Sequence, residues 1–457
     1  MRLPQAHEML SINIMKAIRY CNLGLAATLA ITVAAAVPAK PDLTGRVSNP
    51  DGSPITNATI LIYTAAQIEG TSSLCPYCYL DCRKQGSTGP NGEFEIKSLD
   101  PALLFRLLVL APEHESKFVE KVNPASAAVK IALAPLDVES TPPDLRITGL
   151  VIADDGQAVV GATITPQGVG LGNGSHSWGA TGRFTDETTV SDAKGRFLLR
   201  CKSKVELVYA MANARGAAPK PVQLQPGRDY LVRMHEGVLV TGRIVASGQP
   251  VAGAVVGALP SARPLGEFFT SDQVATDSSG HFSIFSLPAE KGLLLFATMG
   301  SLEGKGTLPP VHFSSGKNKT ITNLGDLALQ PGYCVAGQIL LNDGNPVPAG
   351  TRLLLSRQEA WDHSEVVLDA GGRFEFRTVP AGSVSLSLRL KGYKFSKKNP
   401  SLDWLNGGIV GKVDQDITNL TLIMEPGVLL STPDPKDLPE GVDIQPRDKP
   451  LRGVKPD

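Results

Sequence analysis

Apolar and polar residues alternate in short runs along most of this chain. Val384-Ser385-Leu386-Ser387-Leu388-Arg389-Leu390 puts every second side chain on one face, the period of a half-buried β-strand. Its counterpart nearer the N-terminus is Leu103-Leu104-Phe105-Arg106-Leu107-Leu108-Val109-Leu110. Phe94, Phe197, Phe282 and Phe374 each lead a similar run and are expected to point into a core. Turn residues separate the runs. Pro50-Asp51-Gly52-Ser53-Pro54, Asp154-Asp155-Gly156, Ser247-Gly248-Gln249-Pro250 and Asp343-Gly344-Asn345-Pro346 each stand between two β-rich stretches. Glycine takes the positive φ such hairpins need, and a following proline belongs at a strand start or edge because it lacks a ladder donor. A second hairpin precedes each phenylalanine, as in Asn91-Gly92, Asp192-Ala193-Lys194-Gly195, Asp277-Ser278-Ser279-Gly280 and Asp369-Ala370-Gly371-Gly372. No stretch has the pattern of a long helix.

The elements recur in a fixed order. Leu43-Thr44-Gly45-Arg46-Val47 returns as Ile147-Thr148-Gly149-Leu150-Val151, Val240-Thr241-Gly242-Arg243-Ile244 and Val335-Ala336-Gly337-Gln338-Ile339. The four glycines lie 104, 93 and 95 residues apart, the length of a small all-β domain. The pattern predicts an all-β chain of four tandem Ig-like or transthyretin-like β-sandwich modules, each with about six or seven strands. Expected bounds are 40–136, 143–236, 237–331 and 332–427, followed by a disordered tail over 428–457 that is rich in Pro, Asp and Lys. Glycine-arginine-valine, Asp-Gly-x-Pro, Asp-x-x-Gly-x-Phe and a closing Val379-Pro380-Ala381-Gly382 resemble the carboxypeptidase regulatory-like domain. The resemblance spans most of Pro41–Gly427 and departs from the pattern at Val159, where the family has proline. It implies a transthyretin-like sandwich, related to carbohydrate-binding-like folds, that serves as an accessory or binding module on exported proteins.

Residues 1–39 read as a signal peptide with Met15 as the start. Lys16 and Arg19 precede an apolar stretch from Leu23 to Val33, and Ala34-Ala35-Ala36-Val37-Pro38-Ala39 offers small residues for cleavage after Ala36 or Ala39. An uncleaved anchor is the alternative. Cys21 lies before the apolar run, which argues against a lipoprotein. The expected location is secreted, periplasmic or cell-surface, with no membrane span after cleavage. Of 457 residues 42% are hydrophobic, enough for several cores, and Lys+Arg and Asp+Glu are equal at 44. Balanced charge gives no reason to expect nucleic acid as a partner.

Catalytic chemistry finds little support. None of His114, His176, His235, His281, His312 or His363 begins the His-x-x-Glu pair of a zinc carboxypeptidase, and four modules leave no room for a catalytic domain. The chain is expected to be non-enzymatic and to need no cofactor. Cys75-Pro76-Tyr77-Cys78-Tyr79-Leu80-Asp81-Cys82 is the most singular local feature. Export favours a disulfide among Cys75, Cys78 and Cys82; a metal site or a redox-active or linking thiol are the alternatives. Five cysteines remain after signal removal, so at least one is free or pairs between chains. The Asp-Gly turns lack the further carboxylates of a calcium loop. Trp178, in a loop, together with Trp361 and Trp404, are the candidates for stacking on sugar rings; rings covering the edges of their own sandwiches are the alternative. The function classes left open are a carbohydrate-binding or scaffold protein with a glycan or cell-envelope protein as partner, an adhesin-like or accessory subunit of an exported peptidase or transport system, and a redox or metal protein using the cysteine loop.

Overall fold

A computed structural model describes residues 40–454 apart from 173, 180, 263–268, 358, 361, 404–406 and 428–449. The expected signal peptide, Trp361 and Trp404 lie outside the described residues. Among the described residues every element is a strand or a short 3-10 turn.

One sheet arrangement occurs four times. An opening strand lies at the centre of a small sheet: Leu43–Ser48, Arg146–Ile152, Val238–Ala246 and Tyr333–Leu341. On one side it pairs antiparallel with the phenylalanine-bearing strand, Glu93–Ile96, Arg196–Arg200, His281–Leu287 or Arg373–Val379. On the other it pairs parallel with a closing strand, Val129–Ala132, Arg228–Arg233, Ile321–Ala328 or Ile417–Pro426. A second sheet, antiparallel throughout and larger than the first in the first two sandwiches, faces it, centred on Thr59–Gln67 with Leu103–Leu110, Thr163–Gly170 with Leu207–Asn213, Val255–Pro260 with Gly292–Ala297, and Arg352–Arg357 with Gly382–Leu388. Each pair of sheets shares one apolar cluster, so each is a two-layer sandwich. Among the described residues the first has seven strands and the later three have eight, with short strands such as Thr189–Val190, Val274–Ala275 and Tyr393–Phe395 in the count.

The repeated glycine and phenylalanine are partners. Gly45 stands opposite Phe94, Gly149 opposite Phe197, Gly242 opposite Phe282 and Gly337 opposite Phe374. A Cβ on Gly149 would come 2.5 Å from the Tyr230 carbonyl oxygen and 2.6 Å from the Phe197 ring, and Gly45 and Gly242 are likewise crowded by Phe94 and Phe282. The ring lies over the bare backbone, which fills the core at the cost of any side chain on the opening strand.

The hairpin aspartates act locally. Asp192, Asp277 and Asp369 accept from the amides of Arg196, His281 and Arg373 at 2.8–2.9 Å, the side-chain turn that starts such loops. A buried hydroxyl just before the hairpin adds a brace. Thr88, Ser191 and Thr276 accept from the amides of Ala58, Ala162 and Ala254 and donate to the carbonyls of Ile55, Val159 and Val251.

Most of the expected disordered tail, 428–449 and 455–457, lies outside the described residues. Within it Pro450–Val454 is described, with Leu451 4% exposed in the fourth core and its amide donating to the Lys412 carbonyl at 3.0 Å. The apolar side chain at 451 gives this polar tail one strong reason to pack.

Candidate functional site

The cysteine loop is a braced strut. Cys75 and Cys78 form a disulfide, and Cys82 is a separate, buried thiol. Burial pushes the Cys82 thiol up to about 11, so it is protonated at neutral pH and a poor nucleophile or metal ligand. Its Sγ–H donates to the Pro76 carbonyl at 3.4 Å. Cys201, also buried, is pushed up to about 11, and Cys334 is free and half-exposed. Among the described residues no three His, Cys, Asp or Glu side chains are grouped to hold a metal. The base of the loop is tied down by Asp81, which pairs with Lys84 at 2.7 Å and accepts from the Asp100 amide at 2.9 Å. Its tip reaches the third sandwich. The Tyr77 hydroxyl meets the Ser286 hydroxyl at 2.9 Å, and the Ala275 amide donates to the Ser72 carbonyl at 2.9 Å.

Trp178 ends a short strand, His176–Trp178, rather than lying in an open loop. It packs over Gly168, where a Cβ would overlap the indole. Tyr209 lies beside it at 5.0 Å between ring centroids and His176 at 6.2 Å, with the Tyr209 hydroxyl 3.4 Å from His176 Nδ1. Trp178 is half-buried and Tyr209 buried. The result is a three-ring cluster on the larger sheet of the second sandwich.

The most extensive chemistry lies where sandwiches meet. In the first, Tyr63, Leu108 and Leu110 project from the outer face of the larger sheet and pack with Val160 and Val190 of the second. The Tyr63 hydroxyl donates to the Gly161 carbonyl at 3.0 Å and accepts from the Arg215 amide at 2.9 Å. The Arg215 guanidinium donates to the Cys82 carbonyl at 3.0 Å and lies 5.3 Å from the Tyr63 ring. Burial raises the Tyr63 hydroxyl above its ordinary range. A second contact between the same sandwiches pairs Arg200 with Glu115 of the first at 2.6 Å, while Asp186 of its own sandwich holds Arg200 at 3.4 Å.

The second joint joins Met211, on the outer face of the second sandwich, to the third core. Beside it Asp154 accepts from Asn318 at 2.7 Å and pairs with His235 at 2.6 Å. Hydrogen bonding from Asn318, then from His235, holds the Asp154 carboxyl below its usual range against a partial desolvation cost. At the third joint Leu259, Leu294 and Phe296 enclose Ala360 of the fourth sandwich. Arg357 and Asp362 pair at 2.8 Å, each side chain 5% exposed. Arg357 also donates to the Ala297 carbonyl at 2.6 Å and the Leu308 carbonyl at 3.3 Å, while Asp362 accepts from the Met299 amide at 2.8 Å.

One sequence signal separates the faces. The central strands Leu103–Leu110, Leu207–Asn213 and Gly292–Ala297 are apolar almost throughout, because one face covers its own core and the other the next sandwich. In the fourth, Gly382–Leu388 alternates serine with apolar residues, and its outer face is polar. The individual anchors Tyr63, Arg215, Arg357 and Asp362 carry no motif and occur once each; only burial with a named partner reveals them.

No family model and no curated protein matches the chain. Solved structures that match include a streptococcal ancillary pilin, at 11% identity and a TM-score of 0.22 over 62% of this chain and 100% of that one. A minor pilin of Streptococcus agalactiae matches at 9% identity and 0.23, over 43% and 100% of the two chains. The Bacillus anthracis TIE protein matches at 10% identity and 0.17, over 84% and 73%. Scores this low carry no residue assignment and no role to this chain. Among the described residues no helix is long and apolar enough to cross a membrane.

Proposed function

We propose that this chain is an exported, non-catalytic scaffold whose carboxypeptidase regulatory-like modules are fixed to one another, so that it presents binding surfaces at set distances on the cell surface or in the periplasm. The observation that carries the reading is the second use of the antiparallel sheets: in three successive sandwiches apolar side chains on the outer face pack against the next, Tyr63 and Leu108, then Met211, then Leu294 and Phe296. Modules joined only by flexible linkers need no such face. The joint anchors are held by hydrogen bonds and ion pairs, with the Cys75–Cys78 loop a strut from the first sandwich to the third. Small-angle scattering of the mature protein tests this. A profile fitted by one arrangement of modules supports it, and a profile requiring a broad ensemble of arrangements refutes it.

A glycan is the favoured ligand because Trp178, Tyr209 and His176 form one aromatic cluster beside polar groups. A glycan array with Trp178→Ala, Trp361→Ala and Trp404→Ala alongside the parent tests it. Saturable binding lost in one variant locates the site. A blank array with folded protein moves the assignment to a cell-envelope protein partner.

A further inference from the structure

The first three sandwiches are each closed at one side by the chain that directly follows the closing strand. Pro135 bridges to His114, the Ala218 amide donates to the His235 carbonyl, and Thr307 and Gln330 exchange backbone hydrogen bonds. The fourth sandwich differs. Part of its side is covered by Tyr393–Phe395, which pairs with the closing strand, and part by Pro450–Val454 from the far end of the chain. Pro450 bridges in parallel to Lys412 on the edge of the antiparallel sheet. Leu451 inserts into the core, its backbone against Gly411, where a Cβ would overlap it. The Arg452 amide donates to the Ser401 hydroxyl at 3.0 Å, and the Val454 amide to the Thr421 carbonyl at 2.8 Å on the sheet of the opening strand. The segment therefore spans both sheets of one sandwich and fills a slot that Gly411 keeps open.

We propose that this slot, bordered by Ser401, Lys412 and Thr421, is a strand-capture site that takes Pro450–Val454 from a second copy of the chain as well as from its own. Main-chain hydrogen bonds and one apolar anchor are the elements by which a strand is added to a sheet edge. Neither depends on which copy supplies the segment. The intervening residues 428–449 extend on the order of 70 Å when fully stretched, enough to cross to a neighbouring copy. Covalent connection within one chain makes capture of its own segment intramolecular, so that a second copy must compete with it. Exchange between copies is therefore expected where copies are crowded, as on a surface, and rare in dilute solution. The inference does not rest on the scaffold reading.

The test uses the full chain with a protease site placed within 428–449. After cleavage the tail is held only by its contacts, and a fluorescent peptide of residues 446–457 is added. Saturable binding, weakened about tenfold or more in a peptide carrying Leu451→Asp, is expected. No binding, or equal binding of both peptides, overturns the proposal. Hydrogen exchange of Ile409–Val413 in the cleaved protein shows that the fourth sandwich is still folded when the peptide is added. Two differently tagged intact copies, concentrated together and then diluted, are expected to co-purify, and Leu451→Asp in both is expected to abolish it. Co-purification that survives that substitution contradicts the slot as the linking site.

Discussion

Asp362→Ala removes a buried carboxylate that joins the third sandwich to the fourth. Asp362 is 5% exposed on its side chain, pairs with Arg357 at 2.8 Å and accepts from the Met299 amide of the third sandwich. The substitution leaves the buried Arg357 guanidinium with two backbone carbonyls and without the carboxylate it is paired to. Breaking a buried pair in this way costs about 3–5 kcal/mol, because the remaining charge is uncompensated. Arg357→Met with Asp362→Ala removes both charges and fills similar volume, so the double variant is expected to recover most of the loss. Multi-domain unfolding is not two-state, so the assay is hydrogen exchange resolved by segment. Opening of Gly292–Met299 is expected to speed by a factor on the order of a hundred or more in the single variant, following the same free energy. Protection in the first sandwich is expected to stay unchanged. Equal exchange in single variant and parent would refute the reasoning, as would a double variant less protected than the single one.

Thr276→Val removes a hydroxyl that serves two buried backbone groups, and is expected to cost about 1–3 kcal/mol in the third sandwich, measured by its exchange-derived opening energy, with Thr276→Ser close to the parent. The Asp154 carboxyl is held below its usual range by Asn318 and His235, so its contribution is fully present above the unfolded carboxylate range near pH 4 and is lost as pH falls through the lower folded value. Exchange at Gly237 between pH 6 and pH 2 checks this, and the dependence is expected to flatten in Asp154→Asn. Thiol labelling of the native, unreduced protein is expected to modify Cys334 first, with Cys82 and Cys201 reacting only after denaturation and Cys75 and Cys78 only after reduction.

The fold was legible because its constraints repeat. A glycine facing a phenylalanine, an Asp-to-Gly hairpin and alternating strands all arise from local geometry that each sandwich must solve again. The pairing of Gly149 with Phe197 needed register, which spacing alone does not supply. The joints were less legible, since their anchors are unique residues brought together from distant segments, as Tyr63 and Arg215 are. A partial trace was in view: Leu103–Leu110 is apolar on both faces, whereas Val384–Leu388 is not. Trp178 was expected in a loop because Gly172 and Gly174 flank it, and those glycines instead shape the hairpin that carries it. Cys82 is set apart by staying a thiol while Cys75, buried as deeply, pairs with Cys78; spacing treats all three cysteines alike.

Whether the joints are rigid is measured most directly by pulsed spin-label distances in the full mature chain, with labels at exposed Lys97, Lys305 and Asp414 in the first, third and fourth sandwiches. A single narrow distribution is predicted for each pair. Tyr63→Ala should broaden only the distances that involve Lys97, and Asp362→Ala only those that involve Asp414. Broad distributions in the parent, unchanged by either substitution, would contradict the account.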